Sequence, residues 1–210
     1  MITASILSAD MLNLESEIRL LIAENINNIH FDIMDGHFVN NITFGCDLLK
    51  QIKAKFPEII IDTHLMVTNP EKHIENFLNN GSDLITWHAE LDINHQNLIE
   101  LVKSKSKLSG LAINPSTTIS SIKPNIVAQI DSALVMSVFP GKSGQTLILD
   151  CLDKIKEIKA INPKCQVYVD GGVNADNAQL VYEKGADAIV SGSYLFKNIK
   201  ENSTKLIKKI

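Results

Sequence analysis

Imidazoles and carboxylates stand at the ends of apolar runs at four places in this sequence: His30, Asp32, His64 and Asp170. The first two belong to the stretch His30 to Phe38, HFDIMDGHF. Read as a strand, Asn28 to Met34 splits by its period of two into Ile29, Phe31 and Ile33 on one face and His30, Asp32 and Met34 on the other. The apolar face is expected to meet helices and the polar face to look inward, which brings an imidazole and a carboxylate together just before a glycine turn. Two imidazoles with two carboxylates suit Zn2+, Fe2+, Mn2+ or Co2+. The plain alternative is four unrelated residues tied into hydrogen bonds at strand ends. His88 is a rival ligand, but it reads better as a residue that works with Glu90 to orient one. His37, His73 and His95 fall in a loop or on helices and are expected to be solvated.

A second group of residues is rich in glycine. Gly141-Lys142-Ser143-Gly144, Gly171-Gly172 and Gly192-Ser193 each follow an apolar run. Glycine lets a backbone approach a ligand closely, and successive amides in such turns make a cradle for phosphate. Any one of them taken alone could be an ordinary turn. A third group is apolar: Met34, Met66 and Met136 lie at or near strand ends, where methionine is normally core filler but could also exclude water from a charged intermediate.

The elements that must position these groups follow a repeating rhythm. Short apolar runs at Thr3 to Leu7, Asn28 to Met34, Glu58 to Met66, Asp83 to His88, Leu108 to Asn114, Ile130 to Val138, Gln166 to Val169 and Ala186 to Val190 read as eight strands. Helical patterns alternate with them, including one begun by Asn69-Pro70, one at Gln96 to Lys105 and a short one from Ser116. Eight strand and helix units in 210 residues predict an α/β fold, a (β/α)8 TIM barrel occupying 1–210 as one catalytic domain. An open doubly wound sheet is the fallback. The barrel is favoured because the polar residues and glycines collect after the strands, at the rim where such barrels keep their active sites.

Composition narrows the partners. A net charge of -4 argues against nucleic acid or an acidic membrane as the main partner, and no apolar run approaches the ~20 residues of a membrane helix. The N-terminus MITASILSAD does not have the pattern of a signal peptide, so a cytoplasmic location is expected. Cys46, Cys151 and Cys165 contain no CxxC pair and read as packing residues in a reducing compartment. Lys200, Lys205, Lys208 and Lys209 among Leu206, Ile207 and Ile210 suggest a final amphipathic helix with a solvated basic face.

With these residues assembled, the chain resembles the ribulose-phosphate 3-epimerase family over nearly its whole length. The motifs that carry the resemblance are Ser5 to Asp10 (SILSAD), His30 to Phe38, Asp62 to Val67 (DTHLMV), Met136-Ser137-Val138 with Pro140-Gly141, and Val169 to Asn174 (VDGGVN). The resemblance implies a TIM barrel, one divalent metal ion with zinc first in preference, a homo-oligomer, and inversion at carbon 3 of a ketose phosphate in the pentose phosphate pathway. It implies that His30, Asp32, His64 and Asp170 are metal ligands, with Asp32 the proton acceptor and Asp170 the proton donor in a two-base reaction through a metal-stabilised enediolate. Ser5, His64 and the three glycine loops would hold the sugar phosphate, under Met34, Met66 and Met136. Asp32 and Asp170 are expected on opposite sides of the barrel, one for each face of a planar intermediate.

Two departures stand out. The loop after the sixth strand usually reads Asn-Pro-Gly-Phe-Gly-Gly-Gln in the family, whereas Phe139 and Lys142-Ser143 replace three of those residues here, and Asn40 stands where proline is common. They keep a ketohexose 6-phosphate such as allulose 6-phosphate as an alternative substrate and predict a looser flap after the second strand. A decarboxylase or hexulose-phosphate synthase barrel would place Asp-x-Lys-x-x-Asp at the third strand, and Asp62 to Val67 has no lysine. A barrel that only binds sugar phosphate would be expected to lack an acid or a ligand, and all four residues are present.

Overall fold

The computed structural model describes residues 1–208. Eight strands, β1 Ile2–Ser5, β2 Asn28–Met34, β3 Ile60–Met66, β4 Leu84–His88, β5 Leu108–Ile113, β6 Ser132–Met136, β7 Gln166–Asp170 and β8 Ala188–Ser191, pair in parallel and in chain order. β1 also pairs with β8, so the sheet closes into a barrel. The strands are separated by α1 Leu14–Ala23, α2 Cys46–Lys55, α3 Ile74–Asn79, α4 His95–Ser104, α5 Pro124–Val127, α6 Asp153–Ile161 and α7 Ala178–Glu183, with α8 Ile199–Leu206 following β8.

Register does most of the work of positioning. β2 and β3 align His30 with Asp62, Asp32 with His64 and Met34 with Met66, so the inward side chains of both strands arrive as adjacent pairs. The alternate residues Ile29, Phe31, Ile61 and Leu65 are fully buried in the layer between strands and helices. A strand buried on both faces is the normal condition of a parallel barrel. Inside the barrel, Ala112, Leu134, Met136 and Val190 form a separate apolar cluster against Tyr168.

Several element bounds differ from those read along the chain. β1 stops at Ser5 because Ile6–Ser8 turns into a 3-10 segment, closed by the Ala9 amide donating to the Ile6 carbonyl at 3.0 Å. The helix expected at Asn69-Pro70 begins as a 3-10 turn, Pro70–Lys72, before α3. The helix expected from Ser116 appears later, as a 3-10 turn at Ile119–Ser121 and then α5 with proline at its first turn. The basic C-terminal segment forms α8, whose first turn is capped by the Asn198 side chain accepting from the Glu201 amide at 3.2 Å. Lys209 and Ile210 lie outside the described residues.

Candidate active site

His30 and Asp32 leave β2 toward the barrel axis, His64 leaves β3 and Asp170 ends β7. One ligand atom from each of the four comes within 4.8 Å of all the others. His30 Nε2 is 3.3 Å from Asp32 Oδ1, 3.8 Å from Asp170 Oδ2 and 3.3 Å from His64 Nδ1, and His64 Nδ1 is 3.1 Å from Asp32 Oδ1. Both imidazoles are fully buried.

The far side of each ring decides which nitrogen is free. His30 Nδ1 is 2.7 Å from Asp62 Oδ2, and a carboxylate there only accepts, so the ring donates through Nδ1 and turns an Nε2 lone pair inward. His64 Nε2 lies 2.9 Å from His88 Nε2, and His88 Nδ1 lies 3.1 Å from Glu90 Oε2. With His88 donating to Glu90, its other nitrogen accepts from His64, which leaves His64 Nδ1 as a lone pair facing the cluster. Two imidazole lone pairs and two carboxylate oxygens thus converge with no donor between them. That donor set fits a divalent cation.

Without a cation the carboxylates beside His30 favour a proton on it in the ion's place, as the charge balance of the cluster shows. Burial opposes a charge on His30, yet Asp32 and Asp62 outweigh it and hold the imidazole well above its ordinary pKa. Burial also opposes ionisation of Asp32, but His30 and His64 hold its carboxyl well below the usual range. For His64, burial, helped by the charges of His88 and His30, pushes the pKa down to about 4 against the pull of Asp32. Asp170 behaves differently: burial, together with Asp32 and Asp62, pushes it up to about 7 although His30 pulls the other way. Within a single cluster one carboxylate is held ionised while the other keeps its proton up to about neutral pH.

A cavity of about 510 Å³ opens above these groups. Ser5, Met34, Met66 and Met136 line it, as do all three glycine turns. Ser5 Oγ donates to Asp32 Oδ2 at 2.7 Å, so this serine holds a carboxylate as well as lining the cavity. Gly171 and Gly172 have φ of +117° and +68°, and a Cβ on Gly172 would collide with the backbone of Leu147. Glycine is required there by conformation and by space together. Lys142 and Ser143 are exposed in the loop after β6, while Phe139 is outside the cavity lining and 57% exposed. The flap after β2 is tied down despite Asn40: Asp35 pairs with Ile42 in an antiparallel bridge, and Asn41 Nδ2 donates to the Gly141 carbonyl at 3.3 Å.

Two expectations need correction. β2 and β7 are three strands apart around the ring, through β1 and β8, so Asp32 and Asp170 are not diametrically opposed. Their side chains nonetheless reach the same imidazole nitrogen, because the barrel is narrow. His95 is not a solvated residue: it is half-buried, and its Nδ1 accepts from the indole of the fully buried Trp87 at 3.0 Å. His37 and His73 are exposed, and Cys46, Cys151 and Cys165 are free thiols packed at partly or fully buried positions. Asp62 was missed as a functional residue, although the period of two places it on the face of His64 and Met66. Ser8, which lies inside the SILSAD motif but was given no role there, and Lys197, which no local pattern marks, also line the cavity.

A closed parallel barrel with an imidazole and carboxylate cluster under glycine turns at its C-terminal rim defines an enzyme barrel with a candidate divalent-metal centre. The model of the "Ribulose-phosphate 3 epimerase family" matches residues 1–196. The chain belongs to that family, whose named members are isomerases. It is 35% identical to "Ribulose-phosphate 3-epimerase" of Aquifex aeolicus (strain VF5) over 98% of this chain and 95% of that protein. It is 37% identical to the protein of that name from Helicobacter pylori (strain J99 / ATCC 700824), over 94% and 91%, and 36% identical to that of Bacillus subtilis (strain 168), over 93% and 91%. Among solved structures, 3-hexulose-6-phosphate synthase from Salmonella typhimurium superposes with a TM-score of 0.70 at 16% identity, covering 98% of this chain and 95% of that one. The 3-keto-L-gulonate-6-phosphate decarboxylase of Vibrio cholerae gives 0.69 at 14%, covering 98% and 94%. At those identities the likeness is one of fold alone.

Proposed function

We propose that the protein inverts carbon 3 of a ketose phosphate, interconverting D-ribulose 5-phosphate and D-xylulose 5-phosphate in the pentose phosphate pathway. The observation that carries this reading is the pair Asp32 and Asp170, which approach one imidazole nitrogen from different strands with opposite preferences for a proton. Inversion needs a base on one face of the reacting carbon and an acid on the other. In this reading Asp32 takes the proton from carbon 3 and Asp170 delivers one to the opposite face, and the roles exchange in the reverse direction. Ser5 fixes the Asp32 carboxylate by its hydrogen bond. Met34, Met66 and Met136 keep water from the planar intermediate, and the glycine turns hold the phosphate by their amides.

His30, Asp32, His64 and Asp170 are the residues to hold a divalent cation, with zinc first and iron, manganese or cobalt next. Such an ion supplies Lewis-acid stabilisation of negative charge developing on substrate oxygens. Asp62 and the chain His88 to Glu90 fix the two imidazoles in the tautomers this requires. The six-carbon alternative is not favoured, since the curated relatives are named for ribulose phosphate.

The reading includes one catalytic domain, a homo-oligomer as family resemblance implies, and a cytoplasmic location. Three free thiols, and a rice relative named "Ribulose-phosphate 3-epimerase, cytoplasmic isoform", support that location. Among the described residues, no helix is long and apolar enough to cross a membrane. The test is incubation of zinc-loaded protein with ribulose 5-phosphate in heavy water, following deuterium at carbon 3 and formation of xylulose 5-phosphate. Both are expected. Absence of exchange with ribulose 5-phosphate and with allulose 6-phosphate would remove the reading.

A further inference from the structure

Closure of the barrel makes β1 and β8 neighbours, with Ala4 beside Ser191, so the turns leaving these two strands run side by side at the cavity. The chain passes from β1 directly into the 3-10 turn Ile6–Ser8, and this turn sets the Ser8 hydroxyl against the turn after β8. A Cβ added at Gly192 would lie 2.8 Å from Ser8 Oγ and 3.2 Å from the Ser5 carbonyl oxygen. Gly192 has no positive φ, so the close approach of the β1 turn, and of the Ser8 hydroxyl first, is what a side chain there would have to displace.

Ser8 Oγ is shut off from solvent and has no hydrogen-bond partner among the described residues. A hydroxyl in that state has given up its bonds to water without replacement, and native structures leave few such groups unless a ligand or an ordered water completes them. Other hydroxyls at this rim are satisfied: Ser5 Oγ by Asp32, and Ser137 Oγ by the Gly171 carbonyl at 2.7 Å. Ser8 lines the cavity together with Gly192 and Ser193.

The charges lining the cavity show which end of a substrate would meet this hydroxyl. Asp32 and Asp170 belong to the cluster below, whereas Lys142 and Lys197 stand exposed in the loops after β6 and β8. Neither lysine belongs to the ion pairs that occupy Lys53, Lys55, Lys105, Lys107, Lys159, Lys184 and Lys205. The cavity therefore carries its free lysines around the glycine turns, an arrangement that directs a phosphate toward the turns and leaves the sugar carbons to the carboxylates.

We infer that Ser8 is a further substrate-binding residue, its hydroxyl donating to a phosphate oxygen held beside Gly192. The sugar attached to that phosphate rests on the epimerase reading; the contact itself does not. Removing the hydroxyl loses one hydrogen bond to a charged oxygen in the complex and none in the free protein. Ser8→Ala is expected to weaken binding of inorganic phosphate about tenfold, measured by calorimetry on metal-loaded protein, and to raise KM for ribulose 5-phosphate by a similar factor. The melting midpoint without phosphate is expected to stay the same or rise. Phosphate affinity within about twofold of the parent would overturn the inference, as would a lowered midpoint without phosphate, which would make Ser8 part of the scaffold. Weaker phosphate binding by the variant, alongside a parent protein that turns over no ketose phosphate, would support the Ser8 contact and remove the epimerase reading instead.

Discussion

Strands β1 to β4 line the barrel with hydrogen-bonding groups, whereas β5 to β8 line it with hydrocarbon. On the first side Ser5 holds Asp32, Asp62 holds His30, Thr86 Oγ1 donates to Asp62 Oδ1 at 3.3 Å, and His88 holds His64. On the second side lie Ala112, Leu134, Met136 and Val190 with Tyr168 against them. Ser132, buried at the start of β6, and Asp170 are the exceptions, the latter with Met136 beside it on β6 and Val190 beside it on β8. The contrast explains why two carboxylates in one cluster behave oppositely. Asp32 accepts from a hydroxyl and faces two imidazoles, so its charge is compensated, while Asp170 ends an apolar wall and is pushed up to about 7 by burial and by its acidic neighbours.

The largest test of this division replaces each acid in turn. Asp32→Asn and Asp170→Asn are each expected to lower epimerisation by at least about a thousandfold, since neither amide exchanges a proton at carbon 3. Near-normal turnover in either variant would show that the two sides do not supply one acid and one base. An intermediate effect is expected on the polar side alone: Asp62→Ala frees His30 Nδ1 and should weaken zinc or cobalt binding about ten- to a hundredfold. Unchanged affinity in a competition titration would mean that the polar wall does not orient the cluster.

The smallest effect lies just past the end of the polar wall. Asp35 accepts from the amides of His37, Phe38 and Thr68 and from the Thr68 hydroxyl, and these bonds outweigh burial and hold its carboxyl down to about 2. A depressed carboxylate stabilises the folded state above its unfolded pKa near 4 and loses that contribution as pH falls toward 2. Because Asp35 is half-exposed, solvent screening reduces the effect to about 1 kcal/mol or less. Denaturant unfolding should show Asp35→Asn less stable than the parent at neutral pH, with the gap closing between about pH 4 and pH 2. A gap that persists below that window would place the Asp35 contribution in packing instead of charge.

Much of this organisation was legible along the chain. The bounds of β2 follow from its alternation, and the inward placement of His30 and Asp32 is a consequence of the same period. The pairing of His88 with Glu90 was readable from their spacing at the end of a strand. Asp62 could have been found by the same rule, since it shares a face with His64. The half-buried state of His95 could not, because its partner Trp87 reaches it across the loop between β4 and α4.

The sequence by itself determined what is periodic and local: eight strands and their faces, the glycine turns that follow three of them, and the residue types gathered at one rim. Tertiary structure alone decided which of those residues meet. Closure of β1 onto β8 brings Ser8 to Gly192 and shortens the path from Asp32 to Asp170 to three strand steps. The split between a polar and an apolar wall, and with it the opposed proton affinities of two aspartates, also appears only on closure. Burial and electrostatic neighbours belong to the assembled interior and are encoded in no single strand.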